Sequence, residues 1–450
     1  MNMLVHVFTA SVAFAEPSVT FASFSSRSSE NTQIRTSRET MDNENARCAH
    51  VGTKKIQLSL WNLPVEIFLH ICSFLDGATL VHGLSRVCKK FYLILNEDSL
   101  WKTRINHKWA DAVHSLLSPV ITARTDKLFW KLSCIAIEKQ TALWEQQNSM
   151  EKLEFCTDIL VDVVLLRNVN EITYIVGASD DNLIYSKLLS HEEVPFYKNK
   201  NSSSHSILAH NSAIRDLTAI DNTIYSCSFD ETVKSWELTN TGFRWLNTYN
   251  FQRKDRLDSS LWCMSSCPER NLFATGSFCG TINVFDSRSG NRPNVTYRPH
   301  SVIVTKLAMN TEHILSVGKD NTMSVWDQRA GRIMKSITFP GEGVPMSVSM
   351  RRDWVFIGDS RGKLHLVNPN DFEVVKSYST EHTNSITGVR LTHGCLITSS
   401  MDRTVRIWSP TDPPKPIATL RTEFGIFSMD YLNDTLAVSG CNKIVVWRPK

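Results

Sequence analysis

Three stretches of this 450-residue chain repeat one pattern without a gap. His210 is followed 20 positions later by Asp230 and six further on by Trp236. His300, Asp320 and Trp326 keep the same spacing, and so do His382, Asp402 and Trp408. Two intervals held three times over define a repeat. A repeat limits the fold more than any other feature, because each unit can bury its apolar face only against a neighbouring copy. The Trp position recurs as Phe285, Val367 and Trp447, and as Lys187 in a degenerate first copy. From about residue 159 onward, short β-rich runs alternate with turn residues and helical periodicity is nearly absent.

A period near 40 with four strands per unit predicts an all-β propeller. First strands are expected around Val161–Leu165, Ile214–Ala219, Trp262–Ser266, Val304–Ala308, Val344–Val348, Ile386–Arg390 and Ile426–Tyr431, which makes seven blades. The sequence ends after the third strand of the last blade, Lys443–Trp447, so a fourth strand has to come from elsewhere. Residues Lys152–Cys156 are placed to supply it and close the ring, which removes open sheet edges. The segments Thr232-Val233-Lys234-Ser235-Trp236, Met323-Ser324-Val325-Trp326-Asp327 and Thr404-Val405-Arg406-Ile407-Trp408 resemble the hallmark of the WD-repeat family. The Gly that family places before His is replaced by Ala209, Pro299 and Glu381.

The spacing has a physical reading. An Asp in a tight turn can accept from the His that opens the blade, and a hydroxyl and the Trp indole N–H can extend the network. Buried polar groups must be paired, so a complete network locks a blade. With the hydroxyl taken two residues before Asp, two sets are complete: His210, Ser228, Asp230, Trp236 and His382, Ser400, Asp402, Trp408. The set of His300, Asp320 and Trp326 has Gly318 at the hydroxyl position. The Phe285 and Val367 copies carry Cys279 and Arg361 in place of Asp and are expected to rely on packing. A catalytic constellation normally occurs once, and these residues recur with the repeat, so they read as structural.

A different module precedes the repeats. In residues 58–102, Pro64 stands near a helix start, where its missing N–H costs little. Ile67, Ile71, Phe74 and Leu75 follow at helical spacing, and a turn comes at Asp76-Gly77. Leu63-Pro64-x-Glu66-Ile67, Phe74-Leu75-Asp76, Val87-Cys88-Lys89 and Leu100-Trp101 together closely resemble an F-box. A unit of this size buries little core alone and usually needs a partner. Residues 103–149 read as a helical linker. There Trp130, Ile137 and Trp144 recur every seven residues on one apolar face, with Leu128, Leu132 and Ala136 among them.

Charge and cysteine content narrow the function classes. A net charge of +4 supplies no global field that would draw the chain onto nucleic acid or an anionic membrane. Eleven Cys without a C-x-x-C pair argue against a disulfide scaffold and a zinc ribbon, and no metal or cofactor is expected. No apolar run is long enough to span a bilayer as a helix. Residues 1–57 read as a disordered leader rich in Ser, Thr, Asn and Arg. Ala13-Phe14-Ala15 has the form of a signal-peptidase site but lacks a basic region before it, and Met41 offers an alternative start. The sequons at Asn201 and Asn294 matter only in a secreted protein.

The expected chain is therefore multidomain: a small all-α F-box with a helical linker, then an all-β seven-bladed WD-repeat propeller over residues 150–450. That order resembles the F-box/WD-repeat family of substrate receptors. The resemblance implies a non-catalytic adaptor, intracellular in cytoplasm and/or nucleus. Its F-box would dock on a Skp-type adaptor, and through it a cullin. The residues implied in that docking are Leu63, Pro64, Ile67, Ile71, Phe74, Leu75, Val87, Cys88, Leu100 and Trp101. The propeller would hold an unidentified substrate protein. A WD-repeat interaction scaffold without a ubiquitin role stays open beside it. Members of the family read phosphorylated segments with arginines near the start of the first strand. Arg215 matches such a position, but Thr305 and Thr387 stand at its equivalents, a departure from a convergent clamp. Lys319 and Arg403 are turn residues that would add charge.

Overall fold

Short runs whose residues are buried on both faces become the middle strands of the blades, and partly exposed runs become the outer ones. The strand Thr223–Ser228 is almost wholly buried, whereas Arg332–Thr338 has no buried residue. In the computed structural model, the described residues are 63–109, 129–146, 150–156, 163–169, 172–189, 204–239, 242–251, 260–351, 354–392 and 394–450. They fall in one compact unit, Leu63–Lys450. The readings given above for the leader, Met41, Leu128 and the Asn201 sequon lie outside the described residues.

Among the described residues, seven four-stranded antiparallel sheets form a β-propeller. Blade 1 spans residues 163–208, blade 2 214–250, blade 3 261–297 and blade 4 304–338. Blade 5 spans residues 345–379 and blade 6 386–421. Blade 7 takes three strands from residues 428–449, and its fourth is Met150–Cys156, antiparallel to Lys443–Pro449 with Phe155 opposite Ile444. The ring is thus closed by the chain segment expected to close it. Lys187, Trp236, Phe285, Trp326, Val367, Trp408 and Trp447 occupy one register position, each opposite an apolar residue of the second strand.

One irregularity recurs. The register slips near the start of the first strand in blades 2 to 6, so that Arg215, Trp262, Thr305, Met346 and Thr387 are each the extra residue of a β-bulge. A bulge re-aims the side chain it carries and bends the strand. The first strands line a central channel enclosing a cavity of about 480 Å³. Inside it, Asp216 of blade 2 accepts from Met264 N–H of blade 3 and from Lys306 Nζ of blade 4 at 2.7 Å. The buried Asp430 accepts from Leu166 N–H of blade 1, and burial pushes its carboxyl above the usual carboxylate range.

The N-terminal module comprises helices α1 (Val65–Ser73), α2 (Gly77–His82), α3 (Lys89–Leu95) and α4 (Asp98–Lys108). Asp76 caps α2 by accepting from Thr79 N–H, and Cys88 caps α3 by accepting from Phe91 N–H. Phe68 stacks on Phe91 at 4.3 Å, and Leu80, Leu84, Leu95 and Ile105 complete a closed core. Helix α5 (Phe129–Glu145) joins the module to the propeller. Its Glu138 accepts from Arg104 and Lys108 of α4 and from Gly77 N–H of α2. Two residues on, Gln140 donates to Asp434 and accepts from Tyr431 Oη, and Trp144 enters the core between blades 6 and 7. A side chain at Gly394 would collide with the Ala136 carbonyl, so glycine there permits the close approach. Of the apolar linker residues, Ile137 and Trp144 are buried, whereas Leu132 points to solvent.

Candidate functional site

Three regions carry the residues singled out in the sequence: the repeat networks, the surface of the helical module, and the propeller face that bears the turns between second and third strands.

In blade 6 the network runs Trp408–Thr398–His382–Asp402. Trp408 Nε1–H donates to Thr398 Oγ1 at 2.9 Å, and Thr398 lies 2.8 Å from His382 Nε2. His382 Nδ1 is 2.8 Å from Asp402. These partners fit a neutral imidazole that donates from Nδ1 and accepts at Nε2. Blade 2 repeats the arrangement with Trp236, Ser226, His210 and Asp230. The joining hydroxyl therefore sits four residues before Asp, not two. Ser228 and Ser400 instead donate to the Ser212 and Asn384 carbonyls and accept from the Asp230 and Asp402 N–H groups, closing the turn. The correction also supplies a hydroxyl to blade 4, where Ser316 meets His300 Nε2 at 2.9 Å. There Gly318 packs against His300 and Asp320, and Trp326 stacks on Tyr297.

Each network Asp has further donors. Thr232, Thr322 and Thr404 donate both N–H and Oγ–H to Asp230, Asp320 and Asp402, and the residue after each His adds its N–H. Burial alone would raise these carboxyls, but the donors hold all three below the usual carboxylate range. Burial lowers His300 and His382. Blade 5, expected to lean on packing alone, has its own polar pair: Asp359, two residues before Arg361, meets His365 Nε2 at 3.3 Å.

On the helical module, the surface is the notable feature. Ile67, Phe74 and Val87 are exposed, Phe74 to 69%, and so is Pro64. Leu63, Ile71, Leu75, Cys88 and Leu100 are half-buried. Trp101 has no exposed surface and donates its indole N–H to Leu95 O, so it is a core residue and not a contact residue. Val65, Tyr92 and Leu93 join the exposed apolar set, Leu93 to 66%.

On the propeller face, Arg215, Lys319 and Arg403 stand on blades 2, 4 and 6. Arg215, re-aimed by its bulge, donates to Asp180 and lies over two rings, 4.6 Å from the Trp262 centroid and 5.1 Å from that of Phe229. Trp262 is the bulge residue of blade 3, and Phe278 lies beyond it with ring centroids 6.2 Å apart. Lys319 is an exposed turn residue. Arg403 sits at φ 69°, with its carbonyl accepting from Thr422.

Comparison with known proteins agrees with this division. Residues 60–107 match the F-box-like family model, and residues 251–286 and 372–409 match the model for the WD domain, G-beta repeat. F-box/WD repeat-containing protein 9 of Homo sapiens is 28% identical over 409 residues, 86% of this chain and 82% of the relative. Its Bos taurus counterpart is 26% identical, over 89% of this chain and 85% of the relative. F-box/WD repeat-containing protein mec-15 of Caenorhabditis elegans is 25% identical over 71% of this chain and 77% of that protein. The chain carries an F-box-like domain followed by a WD-repeat β-propeller, the two modules for which these relatives are named.

The F-box surface residues missed in the sequence, Tyr92 and Leu93, sit in a run of apolar residues where exposure has no distinguishing pattern. The joining hydroxyls Ser226, Ser316 and Thr398 were passed over for Ser228 and Ser400, although a spacing marks them: all three stand four before Asp, as the three Thr stand two after it. One stretch matched to the WD model, 251–286, contains Cys279 at the Asp position, so the family's strand pattern survives there without its network.

Proposed function

We propose that this chain is the substrate-recognition subunit of a Skp–cullin–F-box ubiquitin ligase. The observation that carries the reading is the F-box surface. Ile67, Phe74, Val87, Tyr92 and Leu93 stay exposed although the module's own core is closed around Phe68, Phe91 and Trp101. An apolar surface left over after the core is complete marks a protein contact. The F-box docks there on a Skp-type adaptor, and through it on a cullin, while the propeller holds the substrate protein. The relatives, named for the same two modules, support this reading. Helix α5 gives the assembly its stiffness, because Glu138 grips the F-box and Gln140 and Trp144 grip the propeller. The chain then acts by proximity, holding substrate lysines near the charged conjugating enzyme.

The test is a double substitution of exposed anchors, Ile67→Asp with Phe74→Ala. Each anchor of this kind contributes on the order of 2 kcal/mol, so adaptor affinity falls by about a hundredfold or more. Titration calorimetry against purified adaptor measures the loss, and an unchanged melting temperature shows that the fold survives. Undiminished adaptor binding by the variant would remove the reading. A wild-type chain that binds no adaptor would leave the interaction scaffold in its place.

A further inference from the structure

The face of the propeller around Arg215 has a chemistry that the receptor reading does not specify. An aromatic ridge runs over blades 2 and 3 and ends on Val302, just before blade 4. Phe229 and Trp262 lie 5.8 Å apart, and Trp262 and Phe278 6.2 Å. The Gly280 turn beyond Phe278 abuts the Val302 backbone. Phe278 and Val302 are each 40% exposed. The bulge that re-aims Trp262 sets its ring between Phe229 and Phe278, which stand in the turns after the second strands of blades 2 and 3.

The charges around the ridge say what it fits. Phosphate recognition by arginine needs several guanidinium groups converging on one point. Here Arg215 is paired with Asp180 and held against Trp262 and Phe229, and the exposed Lys319 at the blade 4 end adds a single ammonium and no second guanidinium. Thr305, Met346 and Thr387 occupy the matching bulges of blades 4 to 6. On the blade 1 side the border is acidic, with Asp180 and Asp181 both exposed. A dianionic phosphate brought there would meet an arginine already neutralised by Asp180 and the further carboxylate of Asp181.

We propose that the ridge captures an extended, unphosphorylated segment of the substrate protein, in which a large apolar side chain lies beside a lysine or arginine. The apolar side chain packs on Trp262 and Phe278, and the neighbouring cation faces Asp180 and Asp181. The inference rests on the receptor reading given above, for which it names the substrate class.

The experiment uses the full chain and short fluorescent peptides of Gly/Ser background. Each peptide carries a central Phe or Leu with Lys, Asp or phosphoserine beside it, and binding is read by anisotropy. The Lys-flanked peptides bind tightest, and replacing Lys with Asp or phosphoserine weakens binding by about tenfold. Phe278→Ser, at an exposed site, costs about tenfold. Asp180→Lys moves the flank preference from Lys to Asp. Tightest binding by the phosphoserine peptides, binding indifferent to both substitutions, or no binding of any peptide would each overturn the inference. Adaptor affinity of the same preparations separates the two readings. Its loss in wild type removes the receptor reading and leaves the peptide preference standing, and a phosphoserine preference does the reverse.

Discussion

Blades 3 and 6 have the same four-stranded form and hold their third strands by different means. In blade 6, Trp408 is tied through Thr398 and His382 to Asp402 by hydrogen bonds. In blade 3, Cys279 replaces the Asp and Phe285 replaces the Trp. Phe285 stacks on Phe273 at 4.9 Å and 9°, and Tyr249 and Phe251 meet it edge-on. Cys279 makes sulfur contacts to Ser277 and Thr281. In these two blades the shared requirement is a filled apolar slot at one register position. A buried polar network is one way of fixing what fills it. Exchanging all of its members for apolar groups of similar shape is tolerated, whereas removing one member leaves the others unpaired.

The largest effect is expected where packing stands alone. Phe285 is fully buried with no hydrogen bond to share the load, so Phe285→Ala destabilises by about 3–5 kcal/mol. Urea denaturation of the full chain measures it. A cost under about 1 kcal/mol would break the comparison, since blade 3 would then be held by something other than its aromatic stack.

In blade 6 a single deletion is expected to cost less and to depend on pH. Asp402→Ala leaves the donors of His382, Thr383 and Thr404 unpaired, at about 1–3 kcal/mol. Asp402 is held below its ordinary value in the fold, so its contribution is present above the unfolded carboxylate value of about 4 and is lost as pH falls through the lower, folded value. His382 is lowered as well. The unfolded chain therefore takes up its proton first, and stability falls from about pH 6.5 downward. Both signs agree: the unfolded state binds more protons, and acid destabilises. The stability difference between wild type and Asp402→Asn, measured at neutral pH and again in acid below the folded carboxyl value, narrows in acid. A difference that stays constant would mean that Asp402 is not ionised in the network.

The propeller was legible because its residues recur. Fixed His-to-Asp and Asp-to-Trp intervals located three blades, the run of first strands brought the number to seven, and the missing fourth strand of the last pointed to Lys152–Cys156, which lies within the observed Met150–Cys156. The networks were legible in membership and not in wiring. Spacing shows that a hydroxyl accompanies each Asp, but Ser228 and Ser226 both qualify; two apart on one strand, they share a face, and only the position of the His210 ring along that face decides which one meets it. Trp101 shows the converse limit: an apolar residue at the end of a matching motif reads as a contact until burial makes it core. The ridge of Phe229, Trp262 and Phe278 was not legible, because a β-bulge, which leaves no composition signal, sets Trp262 between two turn residues of neighbouring blades.

The smallest effect discriminates most finely, because it separates two hydroxyls of one strand. Thr398→Val keeps the side-chain shape and removes the group that joins Trp408 Nε1–H to His382 Nε2. Both ring nitrogens are buried with their residues, so the loss is expected to be about 1–2 kcal/mol. Ser400→Ala removes a bond to the Asn384 carbonyl and the acceptor of Asp402 N–H; Ser400 is buried, but Asn384 is exposed and Asp402 half-buried. Water can take up those partners, and the cost is expected to be about 0.5–1 kcal/mol. Paired denaturation curves give the order directly. If Ser400→Ala costs as much as Thr398→Val, the hydroxyl four before Asp is not the joint of the network. The polar wiring of blade 6 would then be as dispensable as its absence from blade 3 implies.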